Sequence, residues 1–245
     1  MCRRIVSTVR FCLGMGSVAL CLGPISLAWL VGKREQWGGP IMVAWCRCFL
    51  WMMGARVTRD GLHNVPSDQG FVLVSNHESH LEGPMLVGYI PRYVYVVAKK
   101  ELFDMPLVGH AFRAMGFISV NRKLSSDARR GVDEGAQMLT EGGVALVFPE
   151  GTRSKTGELA EFKRGAVIMA IQAGVPLLPV GVAGCREVFP PTDLLMFPGP
   201  IHFTVGAPIS TAGLTMTDRG VLNDRVREAV LELKSEAHRS LAQRA

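Results

Sequence analysis

From residue 55 onward, short apolar runs rich in β-branched and aromatic residues alternate with longer segments of helical character. The runs are predicted to be strands: Phe71–Val74, Tyr93–Ala98, Phe117–Val120, Val144–Phe148, Leu177–Val182 and Ile201–Val205. The segments between and after them are predicted to be helices: Pro84–Ile90, Pro106–Met115, Ser125–Glu141, Lys163–Ala173 and Asp218–Leu241. This alternation is typical of an α/β domain with a mixed, largely parallel central sheet flanked by helices. In such sheets functional side chains gather where the strands end.

The first 54 residues have a different composition. They carry six basic residues and one acid, so their net charge of +5 supplies nearly all of the +6 of the whole chain. Phe11–Val31 is free of charge and long enough to span a bilayer. Pro40–Gly54 is shorter and contains Arg47 between two tryptophans, which is typical of a helix at the membrane interface. We therefore predict a membrane-associated helical hairpin over residues 1–54 and an α/β domain over residues 55–245.

The hairpin could cross the bilayer or dip into one leaflet. Internal glycines, Pro24 and basic residues on both flanks weaken a simple transmembrane prediction. A cleaved signal peptide is disfavoured because Lys33 and Arg34 follow the apolar run where a small-residue cleavage site is expected.

Charge and cysteine usage exclude several classes of protein. The net charge of residues 55–245 is only +1, which argues against nucleic-acid binding. The basic N-terminal part is instead expected to be attracted to anionic lipids. Five of the six cysteines lie in that apolar part, without the spacing of a disulfide framework or a metal site. No metal is expected.

The first predicted strand runs directly into the stretch Ser75–Pro84. In it Glu82 follows His77 by five residues, about 500° around a continuous helix. The two side chains can face each other only if His77 lies on the turn and Glu82 opens the next helix, where Pro84 is tolerated. The stretch predicts a histidine base with an orienting acid, and a polar turn without chemistry is the alternative.

Cationic side chains follow the next three predicted strands. Lys99 follows the second, Arg122 the third and Arg153 the fourth. Because neighbouring parallel strands end at one edge of the sheet, these cations predict an anion site beside His77. A phosphate suits this site, since arginine binds it bidentately, lysine acts as a point charge and the backbone at Gly151 allows close approach. Each cation taken alone is also compatible with a solvated surface charge.

Other chemistries lack their motifs. His77 and His80 are three residues apart, whereas the zinc motif H-E-x-x-H needs four. The nucleophile turn G-x-S-x-G and the phosphate loop G-x-x-x-x-G-K-[ST] are both absent from the sequence. His80 is interpreted as incidental to catalysis.

Four ordered blocks between residues 76 and 180 carry a family resemblance. They are Asn76-His77-x4-Glu82, Gly116-Phe117-Ile118-x3-Arg122, Phe148-Pro149-Glu150-Gly151-Thr152-Arg153-Ser154 and Val175-Pro176-Leu177-Leu178-Pro179-Val180. They resemble the motif blocks of the glycerolipid acyltransferases, more narrowly the bacterial 1-acyl-sn-glycerol-3-phosphate (lysophosphatidate) acyltransferases. The chain departs from that family at Glu82, where an aspartate is usual.

The resemblance implies direct acyl transfer without an acyl-enzyme. His77 would be the general base and Glu82 its partner, acting on the free sn-2 hydroxyl of 1-acyl-sn-glycerol-3-phosphate to give phosphatidic acid. The donor would be acyl-CoA or the acyl thioester of acyl carrier protein, with no further cofactor. Arg153, Lys99 and Arg122 would bind the acceptor phosphate, and the pocket would be shaped by Asn76, Glu150, Gly151 and Thr152.

The resemblance also implies a location. The enzyme would act at the inner (cytoplasmic) membrane, with its active site on the cytoplasmic face and membrane lipids as its partners. Two alternatives remain open: transfer to another acceptor, such as a lyso-ornithine lipid or a lysophospholipid, and a non-catalytic lipid-binding homologue.

Overall fold

A computed structural model describes residues 2–121, 125–191 and 195–244 of the chain. Its sheet has seven strands in the order β1-β7-β6-β2-β5-β3-β4. The strands are Ala55–Asp60 (β1), Phe71–Ser75 (β2), Val94–Lys99 (β3), Ile118–Val120 (β4), Val144–Val147 (β5), Leu177–Ala183 (β6) and Gly199–Val205 (β7). All neighbouring strands run parallel except β6 and β7, which are antiparallel. The mixed, largely parallel sheet predicted from the sequence is confirmed.

Helices cover both faces of this sheet. They are Cys2–Leu30 (α1), Gly39–Met52 (α2), Glu82–Tyr89 (α3), Lys100–Phe103 (α4), Val108–Ala114 (α5), Ser125–Thr140 (α6), Gly165–Ala173 (α7), Cys185–Val188 (α8) and Arg219–Arg244 (α9). One core lies between the sheet and α2 and α3, and the other lies between the sheet and α6, α7 and α9. Strand β2 lies between β5 and β6 and is buried throughout, which is why its sequence is a continuous apolar run.

The sequence gives no signal for β1, which pairs with β7 at the edge of the sheet. Its sequence ARVTRD contains three charged residues, and several of its side chains are partly exposed. Charges on an edge strand discourage pairing with other chains, and they also obscure the apolar alternation from which strands are predicted.

The two N-terminal helices contact each other and the α/β domain. A single turn of π-helix, Arg34–Gly38, connects them, and Trp45 of α2 donates a hydrogen bond to Ser17 of α1 (2.9 Å). Leu50 of α2 is buried in the same core as Leu73 of β2. Arg47 is exposed, and its Nε donates to the carbonyl of Gly88 (2.7 Å). Residues before and after residue 54 thus share one core. The predicted domain boundary at residue 54 therefore stays a prediction.

Helix α1 exposes apolar side chains along most of its length. Its segment Val6–Leu30 is long and apolar enough to cross a membrane. The exposed side chains include Val6, Val9, Leu13, Leu20, Leu27 and Leu30. These positions recur every three, four or seven residues, so they form one continuous stripe along the helix.

Candidate active site

His77 and Glu82 form a close pair at the end of β2. The Nδ1 atom of His77 lies 2.6 Å from Oε2 of Glu82, and the glutamate is the first residue of α3. The glutamate side chain is fully buried, whereas 22% of the histidine side chain is exposed. The imidazole stacks on Phe148, with 4.2 Å between the ring centroids. The geometry that the five-residue spacing predicts, with the histidine on a turn and the acid opening a helix, is therefore present.

The carboxylate of Glu82 is also held from the backbone. The N–H of Glu78 donates to both of its oxygens, at 3.0 and 3.1 Å. Burial raises the pKa of Glu82 well above its usual value, and the hydrogen bond from Glu78 opposes this shift. The longer side chain at this position thus reaches the imidazole at hydrogen-bond distance.

In the dyad loop, residues 76–81, Asn76, Glu78 and Ser79 are buried, whereas His80 is exposed. Asn76 is buried and bridges to β6: its Oδ1 accepts from the N–H of Val182 (2.8 Å), and its Nδ2 donates to the Val182 carbonyl (3.1 Å). Ser79 is also buried and donates to the carbonyl of Phe189 (2.7 Å). The bonds of Asn76 fix the end of β2 against β6, and its place in a substrate pocket stays a prediction.

The arginine loop, residues 148–158, braces His77 from the other side. The buried carboxylate of Glu150 accepts from the backbone N–H of His77 (2.7 Å) and of Ala160 (3.0 Å). The N–H of Ser154 donates to the His77 carbonyl (2.7 Å). Burial raises the pKa of Glu150, and the two N–H donors oppose that shift. Glu150 is thus bonded to the backbone that carries the histidine.

The turn at Gly151 needs a glycine. Its φ of +76° lies in the left-handed region, and a Cβ there would lie 3.0 Å from Nζ of Lys163. Thr152, the next residue, is exposed to solvent. The sequence prediction places both residues in the substrate pocket. In the structure Gly151 is buried and only Thr152 is exposed, and their place in a pocket stays a prediction.

Arg153 and His80 form a contact that the sequence does not reveal. Nη1 of Arg153 lies 2.6 Å from Nε2 of His80 and donates to the carbonyl of Pro191 (3.2 Å). Partial burial, the arginine and His77 lower the pKa of His80 to about 4, so the ring is neutral and accepts the hydrogen bond. The interpretation of His80 as incidental overlooked this contact. Since 73 residues separate the partners, no local pattern indicates it.

Of the other two predicted cations, the structure describes only Lys99, which it leaves apart from the dyad. Lys99 ends β3, two strands from β2, a lateral separation of about 10 Å. It forms an ion pair with Glu101 at 2.9 Å, and both side chains are half exposed. Arg122 lies outside the described residues.

Among the described residues, no group of three or more His, Cys, Asp or Glu side chains could hold a metal ion. The thiol of Cys185 could in principle act as a nucleophile, but the residue is buried. Burial and the carboxylates of Glu82 and Glu78 raise its pKa well above the usual value, which keeps it protonated.

Comparison with known proteins agrees with this architecture. A family model described as "Acyltransferase" matches residues 56–183, more than half of the chain. The chain belongs to the acyltransferase family. This confirms the family to which the four motif blocks point.

Two curated relatives illustrate the similarity. The chain is 36% identical over 182 residues to 1-acyl-sn-glycerol-3-phosphate acyltransferase alpha of Homo sapiens, covering 74% of this chain and 64% of that protein. It therefore spans less than two thirds of that relative's length. It is 29% identical over 238 residues to 1-acyl-sn-glycerol-3-phosphate acyltransferase of Pseudomonas aeruginosa, covering 94% of this chain and 91% of that protein.

A solved structure shares the fold. The crystal structure of the 1-acyl-sn-glycerophosphate (LPA) acyltransferase PlsC from Thermotoga maritima matches with a TM-score of 0.82 and 23% sequence identity. The match covers 97% of this chain and 95% of that one, so it includes the two N-terminal helices as well as the sheet.

Proposed function

We propose that this acyltransferase transfers a fatty acyl group from a thioester to the free sn-2 hydroxyl of 1-acyl-sn-glycerol-3-phosphate, giving phosphatidic acid for phospholipid synthesis. The donor is acyl-CoA or the acyl thioester of acyl carrier protein. The observation that carries the proposal is the 2.6 Å contact between His77 and Glu82, with the cation Arg153 on the adjoining loop. The two relatives described above are named 1-acyl-sn-glycerol-3-phosphate acyltransferases, which supports the same acceptor.

In this proposal His77 is the general base. Its Nδ1–H is donated to Glu82, which leaves Nε2 as the basic nitrogen and orients the ring. As Nε2 takes the proton of the acceptor hydroxyl, the buried carboxylate stabilises the imidazolium. The hydroxyl oxygen attacks the thioester carbonyl, the carbon–sulfur bond breaks, and the departing thiolate takes the proton from His77. Base catalysis of this kind contributes about 10²–10⁴ in rate.

The proposal assigns the acceptor phosphate to Arg153. His80 is neutral, so it fixes the guanidinium without compensating its positive charge. A phosphate bound there would form charge-assisted hydrogen bonds, which are shorter and stronger than neutral ones. Lys99 and Arg122 stay predicted phosphate ligands, and Gly151 and Thr152 stay predicted pocket residues.

We further propose that α1 lies along one leaflet of the cytoplasmic membrane, with the active site facing the cytoplasm. Two points far apart on α1 contact the α/β domain: Ser7 accepts from the N–H of Met196 (2.6 Å), and Ser26 contacts His110 (2.8 Å). The 19 residues between them span about 28 Å of helix. With both contacts in place, the exposed apolar stripe favours burial along the membrane surface over a crossing.

The test is an acyl-transfer assay in lipid vesicles. The purified full chain is given acyl-CoA or the acyl thioester of acyl carrier protein, together with lysophosphatidate, a lyso-ornithine lipid or a zwitterionic lysophospholipid. We expect phosphatidate from lysophosphatidate with at least one donor. Turnover of only another lysolipid would replace the acceptor, and no turnover with any pair would refute the enzymatic proposal. Flotation of the protein with vesicles, weakened by Leu20→Glu in the stripe, tests the membrane proposal separately.

A further inference from the structure

Lys234 of α9 is a buried charge that the mechanism above does not use. Its Nζ lies 2.5 Å from Oε1 of Glu78, and the two side chains are only 10% and 9% exposed. The same Nζ donates to the carbonyl of Gly157. Glu78 belongs to the dyad loop and Gly157 to the arginine loop, so one ammonium group joins both loops of the site.

A glycine on the sheet lets α9 come this close. A Cβ at Gly181 of β6 would lie 2.1 Å from the backbone nitrogen of Lys234, a distance that only glycine avoids. Two further residues of α9 contact the chain that follows the arginine loop. Asn223 donates to the carbonyl of Phe162 (3.0 Å) and Arg227 to that of Leu159 (2.9 Å).

These three donors share one face of α9. Positions 223, 227 and 234 fall within about 40° of one another around the helix. All three lie beyond residue 183, where the match to the family model ends. The C-terminal helix therefore fastens the segment from residue 157 to 162, but only Lys234 also reaches the dyad loop.

We propose that Lys234 is a positioning residue of the active site, which holds the dyad in its reactive geometry through Glu78. The contacts form a continuous chain. Lys234 and Nδ2 of Asn76 (3.1 Å) bind the carboxylate of Glu78, whose N–H in turn holds both oxygens of Glu82 beside His77. Lys234 itself touches no reacting atom. The proposal rests on the acyl-transfer function given above.

Electrostatics explains why this series of contacts holds the dyad in place. Removing one member of a buried ion pair leaves an uncompensated charge, which is strongly unfavourable. Without Lys234, the Glu78 carboxylate would move toward water, taking its peptide N–H away from Glu82, or would stay as an extra negative charge beside the dyad. The other charged or titratable groups that face the carboxylates of Glu78 and Glu82 are His77, Arg153, Glu150 and Cys185.

The test combines Lys234→Met, Lys234→Arg and Glu78→Gln with the double variant Lys234→Met/Glu78→Gln. Methionine keeps the stem of lysine without its charge, and glutamine can still accept the hydrogen bond of Asn76. We expect Lys234→Met to lower kcat about tenfold to a hundredfold, the cost of a shift of up to about 1 Å at the dyad, with little change in KM. The acid limb of its pH–rate profile should move to higher pH, since an unpaired Glu78 favours protonation of the dyad.

The remaining variants separate positioning from stability. Lys234→Arg, which keeps the charge, and the double variant, which removes both charges, should recover most of kcat and return the acid limb toward the wild type. Asn223→Ala is the matched control, because it removes the same kind of contact from the same helix face without touching Glu78. It should lower the melting temperature and leave kcat and the pH profile unchanged.

Two results would overturn the proposal. One is a Lys234→Met enzyme that loses only stability, as Asn223→Ala does, with wild-type kcat and pH profile. The other is a double variant as slow as Lys234→Met. The Nδ1 proton resonance of His77 in detergent-solubilised protein gives a readout without turnover. This resonance should shift in Lys234→Met and keep its wild-type position in Asn223→Ala, even if the wild type transfers no acyl group. Failure of the proposed function is therefore distinguishable from failure of this inference.

Discussion

The dyad loop and the arginine loop follow neighbouring parallel strands, yet they bury their polar groups to different extents. In the dyad loop Asn76, Glu78 and Ser79 are buried, and the His77 side chain is partly exposed. In the arginine loop Glu150 is buried, whereas Thr152 is exposed to solvent. Most of the dyad loop is thus buried, with His80 as its exposed residue. In the arginine loop burial ends at Gly151, and residues 152–158 are exposed or partly exposed.

This difference indicates a division of tasks. Buried polar groups must keep their partners, because an unsatisfied one costs about 1–3 kcal/mol, so the dyad loop has little freedom to move. Proton transfer needs such fixed geometry. A more open loop can exchange water for a substrate phosphate. Changes in the dyad loop should therefore act on kcat, and changes at Arg153 should act on KM.

The largest effect is expected from His77→Ala. Without the base, kcat should fall about 10²–10⁴-fold while the protein stays folded. The measurement is product formation, with circular dichroism as the check on folding. His63→Ala is the control and should be fully active, because His63 is an exposed histidine outside the dyad loop and the arginine loop. Substantial turnover by His77→Ala would remove the dyad from the mechanism.

Glu82→Asp asks whether the site is built for the longer acid. Shortening the side chain withdraws the carboxylate by about one bond length from both His77 and the N–H of Glu78. A displacement near 1 Å lowers kcat about a hundredfold. Glu82→Gln keeps the length and removes the charge, so the two variants separate reach from charge. A rise in activity with aspartate would mean that glutamate is the weaker partner.

Arg153→Ala should act on the acceptor. Loss of a charge-assisted hydrogen bond, about 1.5–3 kcal/mol, predicts a tenfold to hundredfold higher KM for lysophosphatidate, with kcat nearly unchanged. Lys155→Ala on the same loop is the matched control. An acceptor that lacks a phosphate should show no difference between Arg153→Ala and the wild type. An unchanged KM for lysophosphatidate would argue against phosphate binding at this residue.

The smallest effect concerns His80 and pH. Its pKa in the folded protein is about 4, below the ordinary value of 6.5, so the unfolded chain takes up this proton first as the pH falls. The stability linked to neutral His80 is therefore complete above about pH 6.5 and is lost toward pH 4. His80→Gln, which can still accept from Arg153, should flatten the decline of melting temperature over that interval. Parallel curves for both proteins would contradict the assignment.

Predictions from the sequence succeed where the cause is local. Runs such as Phe71–Val74 are recognisable as strands because both of their faces are buried. The His77–Glu82 pair follows from five residues of chain and one helix start. Strand β1 was missed because its edge position permits charged residues, so no apolar pattern marks it.

Several site residues have roles that only long-range contacts create. Asn76 binds the backbone of β6 and Glu150 binds the backbone N–H of His77, and no local pattern in the sequence indicates either contact. His80 becomes the partner of Arg153 only when two loops meet. Such pairings depend on which strand ends become neighbours, and sequence spacing does not encode that order.

The sequence by itself determined the family, through the resemblance of its four motif blocks. It also determined the α/β class, the apolar N-terminal helix and the histidine–glutamate pair, since each of these depends on composition, periodicity or contacts within a few residues. The tertiary structure decided which groups support that pair. Helix α9 brings Lys234 under Glu78 because Gly181 leaves room for its backbone, and the contact joins residues far apart in the chain. A buried charge needs a partner, and only the packing of α9 on the sheet determines which residue provides it.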